Sequence, residues 1–407
     1  MLKRKFSVHR SVSIGMGMLL VVLLLGSSES PALAKDAVLI GGTISETGAF
    51  NTDVGPFRKL MEAWAEMINE RGGLPVEGKK LPVKFILYDD KSDRDTVLKF
   101  YEKLATEDNV DLLLGPYSSF LTLAASAVAE KHQIPFVAVE ANSPKIYERG
   151  YKWIVGVLAP ATIWSDHYFN LIQAEGKAKS IAFISEDIVH AREVYEGAIK
   201  KAGEIGLQVV FKEVAPSKTV DFSSPIAKMK ELDPDIVYIS SFHPFAVAFM
   251  KQAKELDLNP REFHAIHHGA GFINALGRDA EYIVGESYWV PGIQKGDAKF
   301  FEELLKRSGI DAGEWPWAAI RMGAFDAVKA GIEKSGTLEP AKLMEALKTL
   351  STETITGTLR FDEKGVGTMN TIPTQIQNGK YVLIWPKAEG MPAGEHWYPT
   401  PTWSERK

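Results

Sequence analysis

The sequence lacks cysteine: none of its 407 residues is a Cys. This absence excludes disulfide bonds, cysteine-ligated zinc or iron–sulfur sites, a thiol nucleophile and a lipid anchor attached through a thiol. An excess of basic charge is lacking too, because 52 Asp and Glu residues outnumber 47 Lys and Arg residues. We therefore expect no nucleic-acid partner, since such proteins need a basic surface that contacts phosphates.

Familiar catalytic motifs are also lacking. The sequence contains no G-x-S-x-G elbow, no P-loop, no H-E-x-x-H pair and no G-x-G-x-x-G after a predicted strand. Gly269-Ala270-Gly271 is only a fragment of a dinucleotide-binding loop. We therefore expect a protein that is not an enzyme and that holds no cofactor. An exported α/β enzyme is the less favoured alternative.

Residues 1–34 are typical of a secretory signal peptide. Four basic residues precede an apolar run from Ile14 to Leu25, and Ala32-Leu33-Ala34 places small residues where signal peptidase cleaves. The alternative is a retained membrane anchor, but the uncharged stretch 11–28 is marginal for a span of about 20 residues. We expect cleavage after Ala34 and, because no thiol can be lipidated, a protein free in a Gram-negative periplasm.

After Lys35, short apolar segments alternate with segments of helical periodicity. This alternation is typical of parallel sheets whose two faces are covered by helices. It runs once before and once after residues 151–160, which we interpret as the first crossing between two lobes. The sequence therefore predicts an α/β fold with two Rossmann-like lobes. The predicted strands are 37–44, 83–90, 110–115 and 134–139 in the first set and 180–187, 207–214, 235–241 and 263–268 in the second.

The C-terminal region predicts a hairpin whose tight turn is Asn378-Gly379. From Lys387 onward the chain is rich in Pro, Gly and Trp, and we expect this segment to be loosely ordered.

The loops that follow the predicted strands are the places to look for a ligand, because open α/β sheets bind ligands beyond the carboxyl ends of their strands. One such loop contains Tyr117, Ser118 and Ser119. Either serine is suited to cap the following helix, or the pair presents a hydroxyl and backbone N–H groups to a ligand carboxylate. A second loop contains Glu140 and Asn142. The aromatic side chains predicted to contact ligand in other strand-end loops are Phe50 and Phe242.

An ordered set of segments carries a family resemblance through nearly all of the chain after residue 35. The segments are TISETGAF, INERGGL, LYDDKSD, LLLGPYSS, IPFV, SPKIYERGY, FSSPIAKMK, GFINALG and LRFDEKG. In this order they resemble the branched-chain amino acid (Leu/Ile/Val) binding proteins of periplasmic ABC importers, which have the type I solute-binding fold. The resemblance implies two lobes, a three-strand hinge and a ligand cleft between the lobes. It also implies that lobe 1 comprises 36–157 and 291–360, and lobe 2 comprises 160–288 and 363–395, with a tail at 396–407.

The resemblance also implies which residues bind the solute. In lobe 1 the family's carboxylate-binding positions fall on the Tyr117 backbone, Ser119, Glu140 and Asn142. In lobe 2 the family supplies aromatic residues and an acidic residue, and those positions fall on His190, Phe242 and His267.

Three departures from the family pattern alter the expected ligand. His267 stands where an acidic residue is expected, His190 where an aromatic residue is expected, and Glu140 where the family often has a small residue. A carboxylate beside Ser119 disfavours a ligand carboxylate there, unless Glu140 is protonated or turned away. The hypothesis is a solute other than a standard aliphatic amino acid: an amide or urea-like compound, a nitrogenous base-like compound, or an aromatic or hydroxylated acid.

The remaining expectations concern histidines, tryptophans and partners. His190, His243, His264, His267 and His268 suggest hydrogen bonding in the cleft rather than a metal site, since alternation places His264 and His268 opposite His267. Core or cleft-edge packing, rather than a stacking platform, is the favoured interpretation of Trp64, Trp164, Trp315 and Trp317. The expected partners are a small-molecule solute and the membrane permease of an ABC importer, bound by a monomer. A sensor of the same fold is the alternative.

Overall fold

The computed structural model describes residues 35–310 and 315–406. The predicted signal peptide, residues 1–34, lies outside the described residues. Two sheets organise the chain from Asp36 onward. Within the described ranges, none of the helices combines the length and the apolar composition that a membrane span requires.

The strands are β1 (Val38–Ile44), β2 (Leu74–Val76), β3 (Lys79–Leu81), β4 (Val83–Asp89), β5 (Leu112–Leu114), β6 (Phe136–Ala138), β7 (Ile154–Leu158), β8 (Ser180–Glu186), β9 (Gln208–Ala215), β10 (Ile236–Ser240), β11 (Glu262–Ala265), β12 (Val284–Ser287), β13 (Ser351–Thr354), β14 (Gly357–Arg360), β15 (Val366–Met369), β16 (Ile372–Gln377) and β17 (Lys380–Leu383).

The helices are α1 (Asn51–Val54), α2 (Phe57–Glu70), α3 (Arg94–Thr106), α4 (Ser119–His132), α5 (Pro144–Tyr147), α6 (Asp166–Glu175), α7 (Val189–Glu204), α8 (Ser223–Leu232), α9 (His243–Glu255), α10 (Ala270–Leu276), α11 (Ala298–Ser308), α12 (Trp315–Ser335) and α13 (Pro340–Lys348). Short 3₁₀ turns lie at Ala161–Ile163 and Gly277–Ala280.

Each sheet forms the centre of one lobe. Lobe 1 has the strand order β15-β7-β6-β5-β1-β4, and every pairing in it is parallel. Lobe 2 has the order β17-β16-β12-β11-β10-β8-β9, parallel from β9 to β12 and closed by the antiparallel pair β16 and β17. The predicted hairpin turn at Asn378-Gly379 joins β16 to β17, and both residues have positive φ.

Local sequence explains the helix that flanks the first strand. In α2, Phe57, Leu60, Met61 and Trp64 recur at helical spacing and are buried on one face. Two glycines with positive φ, at 72 and 73, follow the helix end, a conformation that costs glycine little. The buried face packs into lobe 1, where Trp64 stacks on Phe325 with ring centroids 4.7 Å apart.

The chain crosses between the sheets three times: after β7, after β12 and after β15. The third crossing differs from the predicted domain boundary, which assigned 363–395 to lobe 2. β15 pairs in parallel with β7 of lobe 1 and only β16 enters lobe 2. The backbones of β15 and β7 can approach this closely because residue 367 is glycine. A Cβ at Gly367 would lie only 2.2 Å from the carbonyl oxygen of Val157.

The expectation of a loosely ordered tail is wrong. Trp403 packs against Phe263, and its indole Nε1 donates a hydrogen bond to the Leu258 carbonyl at 2.7 Å. His396 is buried, with Nε2 2.5 Å from Glu262 Oε2 and Nδ1 3.1 Å from Glu175 Oε2. Contacts of the Trp403 indole and the His396 imidazole therefore hold this Pro- and Gly-rich segment to lobe 2, and composition does not reveal them.

Candidate ligand-binding site

The carboxyl ends of the parallel strands in both lobes face one cleft, and a small cavity of about 20 Å³ lies in it. We call this space the cavity and define it by its lining residues. They are Tyr117, Ser118, Ser119, Glu140, Asn142, Leu158, Trp164, His190, Phe242, His267, Trp317 and Ile320. Eight of the nine predicted site residues belong to this set, and Phe50 does not.

On the lobe 1 side, the two serines have different roles. Ser118 caps α4: its side chain accepts a hydrogen bond from the Leu121 N–H at 3.4 Å. The Ser119 hydroxyl oxygen accepts the backbone N–H groups of Asn142 and Ser143, each at 3.2 Å. It thereby holds the loop after β6 against α4. A hydroxyl that accepts two hydrogen bonds keeps its own O–H as a donor.

Glu140 forms a buried ion pair that the sequence analysis did not predict. Its Oε2 accepts from Arg321 Nη2 at 2.6 Å, and Arg321 is 1% exposed. Burial raises the pKa of Glu140 to about 7, although the Arg321 charge acts against the shift. Glu140 therefore lines the cavity, and the neighbouring Arg321 guanidinium neutralises most of its charge.

On the lobe 2 side, three flat rings form a wall. His190 and His267 are stacked with centroids 5.3 Å apart and an 8° angle between planes, and Phe242 lies 5.0 Å from His267 at 21°. Trp164 and Trp317 approach His267 edge-on, at 5.6 Å and 4.9 Å. Burial lowers the pKa of His190 to about 4 and that of His267 well below its ordinary value, so both rings are neutral at pH 7.

The two lobes touch across the cleft, which is closed in this structure. His190 Nδ1 of lobe 2 lies 2.9 Å from Asn142 Oδ1 of lobe 1. Ser143 Oγ donates to Glu193 Oε1 at 2.8 Å, and the Asp53 carboxylate lies 3.1 Å from His243 Nδ1. Buried polar contacts of this kind are made only when the lobes meet.

Phe50 lies at the mouth of the cavity rather than in its lining. Its ring makes edge contacts with Tyr117 at 5.3 Å and with Phe242 at 5.7 Å, so it touches both lobes. It borders the open groove that leads outward from the cavity, whose other walls include Glu186 and Glu193. Phe50 is therefore placed to cover the cavity through its contacts with Tyr117 and Phe242, and its direct contact with the ligand stays a prediction.

The other histidines pair with neighbouring side chains. The predicted alternation does not extend to His267 and His268, because β11 ends at Ala265. His264 Nε2 lies 3.1 Å from Glu286 Oε1, and His268 Nε2 lies 2.9 Å from Thr374 Oγ1. Among the described residues, no cluster of three or more His, Asp or Glu side chains has an arrangement that could hold a metal ion.

Sequence reasoning missed two kinds of site residue. Arg321 is a lone charge within the apolar first half of α12, and such a charge is a sequence signal for a buried polar contact. Trp164 and Trp317 were expected to pack in the core or at the cleft edge, and both line the cavity. Leu158 and Ile320 carry no signal that separates a cavity wall from an ordinary core position.

Comparisons with known proteins agree with this geometry. A family model described as "periplasmic binding protein" matches residues 37–380. The leucine-, isoleucine-, valine-, threonine- and alanine-binding protein of Pseudomonas aeruginosa is 27% identical over 348 residues, which cover 83% of this chain and 88% of that protein.

Solved structures share the fold. The isoleucine complex of the branched-chain amino acid binding protein LivJ from Streptococcus pneumoniae superposes with a TM-score of 0.73 at 20% identity, covering 85% of this chain and 97% of that one. A solute-binding protein of Rhodopseudomonas palustris in complex with 3,4-dihydroxybenzoic acid gives 0.72 at 20% identity, covering 85% and 95%.

Proposed function

This chain belongs to the periplasmic binding protein family, and from that premise we propose that it is the solute-binding protein of an ABC importer. It binds a small polar solute in the periplasm and delivers it to a membrane permease, without catalysing a reaction. The observation that carries the proposal is the cavity itself, which is walled by strand-end residues of both lobes and closed by hydrogen bonds between them.

The mechanism is a two-state clamp of the kind that periplasmic binding proteins use. In the open form the solute meets the Ser119 and Asn142 face of lobe 1. Rotation about the three crossings then brings the wall of His190, Phe242 and His267 onto it. The closed form gains the contact between Asn142 and His190, which exists only when the lobes meet. A permease distinguishes loaded from empty protein by this difference in shape.

The lining residues support a solute other than an aliphatic amino acid. An α-ammonium group taken out of water needs a carboxylate partner. Among the described lining residues, Glu140 is the one carboxylate, and Arg321 already pairs with it. On the opposite wall His190 and His267 are neutral. The remaining candidates are an amide or urea-like solute, a base-like compound, and an aromatic or hydroxylated acid, the last being the class bound by the protein from Rhodopseudomonas palustris.

Calorimetric titration tests this proposal. The mature protein is titrated with leucine, isoleucine and valine, with urea and acetamide, and with 3,4-dihydroxybenzoate and uracil. We expect one of the non-amino-acid classes to bind and the aliphatic amino acids not to. A true solute at 100 times its Kd raises the free energy of unfolding by about 2.7 kcal/mol, which a thermal-shift assay detects. Micromolar binding of leucine, isoleucine or valine would contradict the proposed ligand class.

The export of the protein has a separate test. We propose that the signal peptide is removed after Ala34 and that the mature monomer is free in the periplasm. N-terminal sequencing of the protein from an osmotic-shock fraction should begin at Lys35. Recovery of the full-length chain in the membrane fraction would favour a retained anchor.

A further inference from the structure

Half of the cavity-lining side chains carry a buried polar atom without a hydrogen-bond partner. In the described part of the chain these atoms are Glu140 Oε1, Asn142 Nδ2, Trp164 Nε1, His190 Nε2, His267 Nδ1 and Trp317 Nε1. Buried donors and acceptors are normally satisfied, and leaving one unpaired is costly. Six such atoms around one cavity are suited to bind a polar ligand, which would supply partners that water supplies in the empty protein.

The chemistry of these atoms specifies the hydrogen-bonding edge of that ligand. The indole N–H groups of Trp164 and Trp317 only donate, so they require acceptors on the ligand. Glu140 Oε1 accepts when ionised, so it requires a donor. The cavity therefore needs a ligand that carries both kinds of group.

The contact between Asn142 and His190 adds one donor and one acceptor. His190 is neutral, so if its Nδ1–H donates to Asn142 Oδ1, its Nε2 accepts and the Asn142 amide N–H donates. Exchanging the amide oxygen and nitrogen would reverse both roles. The pair would still offer one donor and one acceptor.

The shape of the cavity favours a flat ligand. His190, His267 and Phe242 form a wall of rings whose planes lie within 21° of one another. Aromatic rings prefer offset-stacked or edge-to-face neighbours. Trp164 and Trp317 meet His267 edge-on, so the edge of a planar ring stacked on this wall would lie near these two tryptophans.

The charge of the cavity favours a neutral ligand. Arg321 neutralises Glu140 at 2.6 Å, and the two histidines of the wall carry no charge at pH 7. An ammonium group would find no unpaired carboxylate among the described lining residues. A ligand carboxylate would have to compete with Glu140 for Arg321 while facing the Glu140 oxygen.

We propose that the solute is a neutral, planar nitrogen heterocycle with adjacent ring N–H and C=O groups, such as a pyrimidinone or purinone. The N–H of such an edge donates to Glu140 or to the histidine acceptor. Its carbonyl accepts from the indoles and the Asn142 amide, while its ring stacks on the histidine and phenylalanine wall. This inference rests on the proposed function, since it names the solute of the same cavity.

Titration of the mature protein with matched ligands tests the inference. The probes are uracil and hypoxanthine, with 1,3-dimethyluracil as the analogue that keeps the ring and carbonyls but has no ring N–H. Benzoate and leucine represent charged solutes. We expect uracil or hypoxanthine to bind at least 100-fold more tightly than dimethyluracil, benzoate and leucine.

Variants that remove a single N–H test the proposed contacts. Trp164→Phe and Trp317→Phe keep an aromatic ring, and each should weaken binding of the heterocycle roughly five- to tenfold. Trp403→Phe is the matched control, because it removes an indole hydrogen bond of a residue that does not line the cavity, and its Kd should equal that of the wild type. Equal effects of all three variants would overturn the assigned contacts.

The outcomes separate this inference from the proposed function. Tight binding of leucine or benzoate, with uracil and hypoxanthine rejected, overturns the inference and leaves the solute-binding function standing. Tight binding of dimethyluracil equal to that of uracil overturns the role of the ring N–H. Rejection of every probe, together with rejection of the amides and hydroxylated acids above, overturns the inference and counts against the function as well.

Discussion

Replacing His190 with phenylalanine should weaken solute binding by opening the closed form. Phenylalanine keeps a flat ring that can stack on His267 as His190 does, at a centroid distance of 5.3 Å. It removes the 2.9 Å contact to Asn142 and leaves the Asn142 side chain buried without that partner. The cost to the closed form is about 1–3 kcal/mol, which corresponds to a roughly 5- to 150-fold higher Kd.

The same substitution should change the pH dependence of binding. Burial lowers the pKa of His190 from 6.5 to about 4 in the closed form, whereas an exposed His190 in the open form regains its ordinary value. Its contribution to closure is therefore complete above pH 6.5 and is lost as the pH falls toward 4. Between pH 7 and pH 5 this one group should weaken wild-type binding about twentyfold, and His190→Phe lacks that loss.

Other groups titrate in the same range, so the comparison is between the two proteins. Burial raises the pKa of both Glu140 and Glu186 to about 7, and these carboxyl groups act in the opposite sense to His190. Because both proteins contain them, the difference between the two pH profiles isolates His190. His132→Phe is the control, since His132 pairs with Glu102 away from the cavity.

The assay is calorimetric titration at pH 5, 6 and 7 with the tightest-binding solute of the panel. An unchanged Kd for His190→Phe at pH 7 would refute the idea that the contact with Asn142 stabilises closure. Identical pH profiles for wild type and variant would refute the assignment of His190 as a neutral group in the closed form.

Three further substitutions have defined outcomes. Ser119→Ala removes the hydroxyl that is free to donate to the solute and also the acceptor for the Asn142 and Ser143 N–H groups, so it should weaken solute binding by roughly 1–3 kcal/mol in calorimetry; unchanged affinity would remove Ser119 from the site. Phe50→Ala uncovers the cavity mouth and should raise the solute dissociation rate severalfold in stopped-flow fluorescence with little change in the association rate; an unchanged dissociation rate would contradict its covering role. His396→Leu leaves the Glu262 carboxylate buried without its cation and should lower the free energy of unfolding by about 3–5 kcal/mol in urea denaturation. Although burial acts to lower it, Glu262 and Glu175 raise the pKa of His396, so its contribution is complete below pH 6.5 and is lost as the pH rises through the raised value; an effect independent of pH would contradict this pairing.

Local sequence signals predicted the strands that frame the site because their cause is local. A few adjacent residues are enough to predict the strand that ends at Leu114 and the loop that contains Ser118. The signals are an apolar run, a turn and a helix cap. Parallel strands then bring their carboxyl ends to one edge. Eight of the predicted site residues consequently lie around one cavity.

The features that sequence reasoning missed depend on distant partners. Glu140 and Arg321 are 181 positions apart, so no local sequence signal links the carboxylate to the cation that neutralises it. His396 meets Glu262 across 134 positions, and this contact orders a segment whose composition favours a loose tail. β15 joins lobe 1 through close backbone approach at Gly367, which hydropathy does not report.

The histidines also show that a local sequence pattern does not predict contacts between distant elements. Alternation along a strand assigns faces only while the strand continues, and β11 ends before His267. The position of His267 between Trp164, Trp317 and Phe242 follows from the packing of four separate elements. Its neutral state follows from that burial.

The most direct test of the account is a crystal structure of the mature protein grown with saturating uracil or hypoxanthine, whichever binds more tightly. The account predicts a planar ligand between Asn142 of lobe 1 and the ring wall of lobe 2, with hydrogen bonds to the indoles of Trp164 and Trp317. A ligand bound outside the cavity, or one that contacts only one lobe while the cleft stays closed and empty, would contradict it.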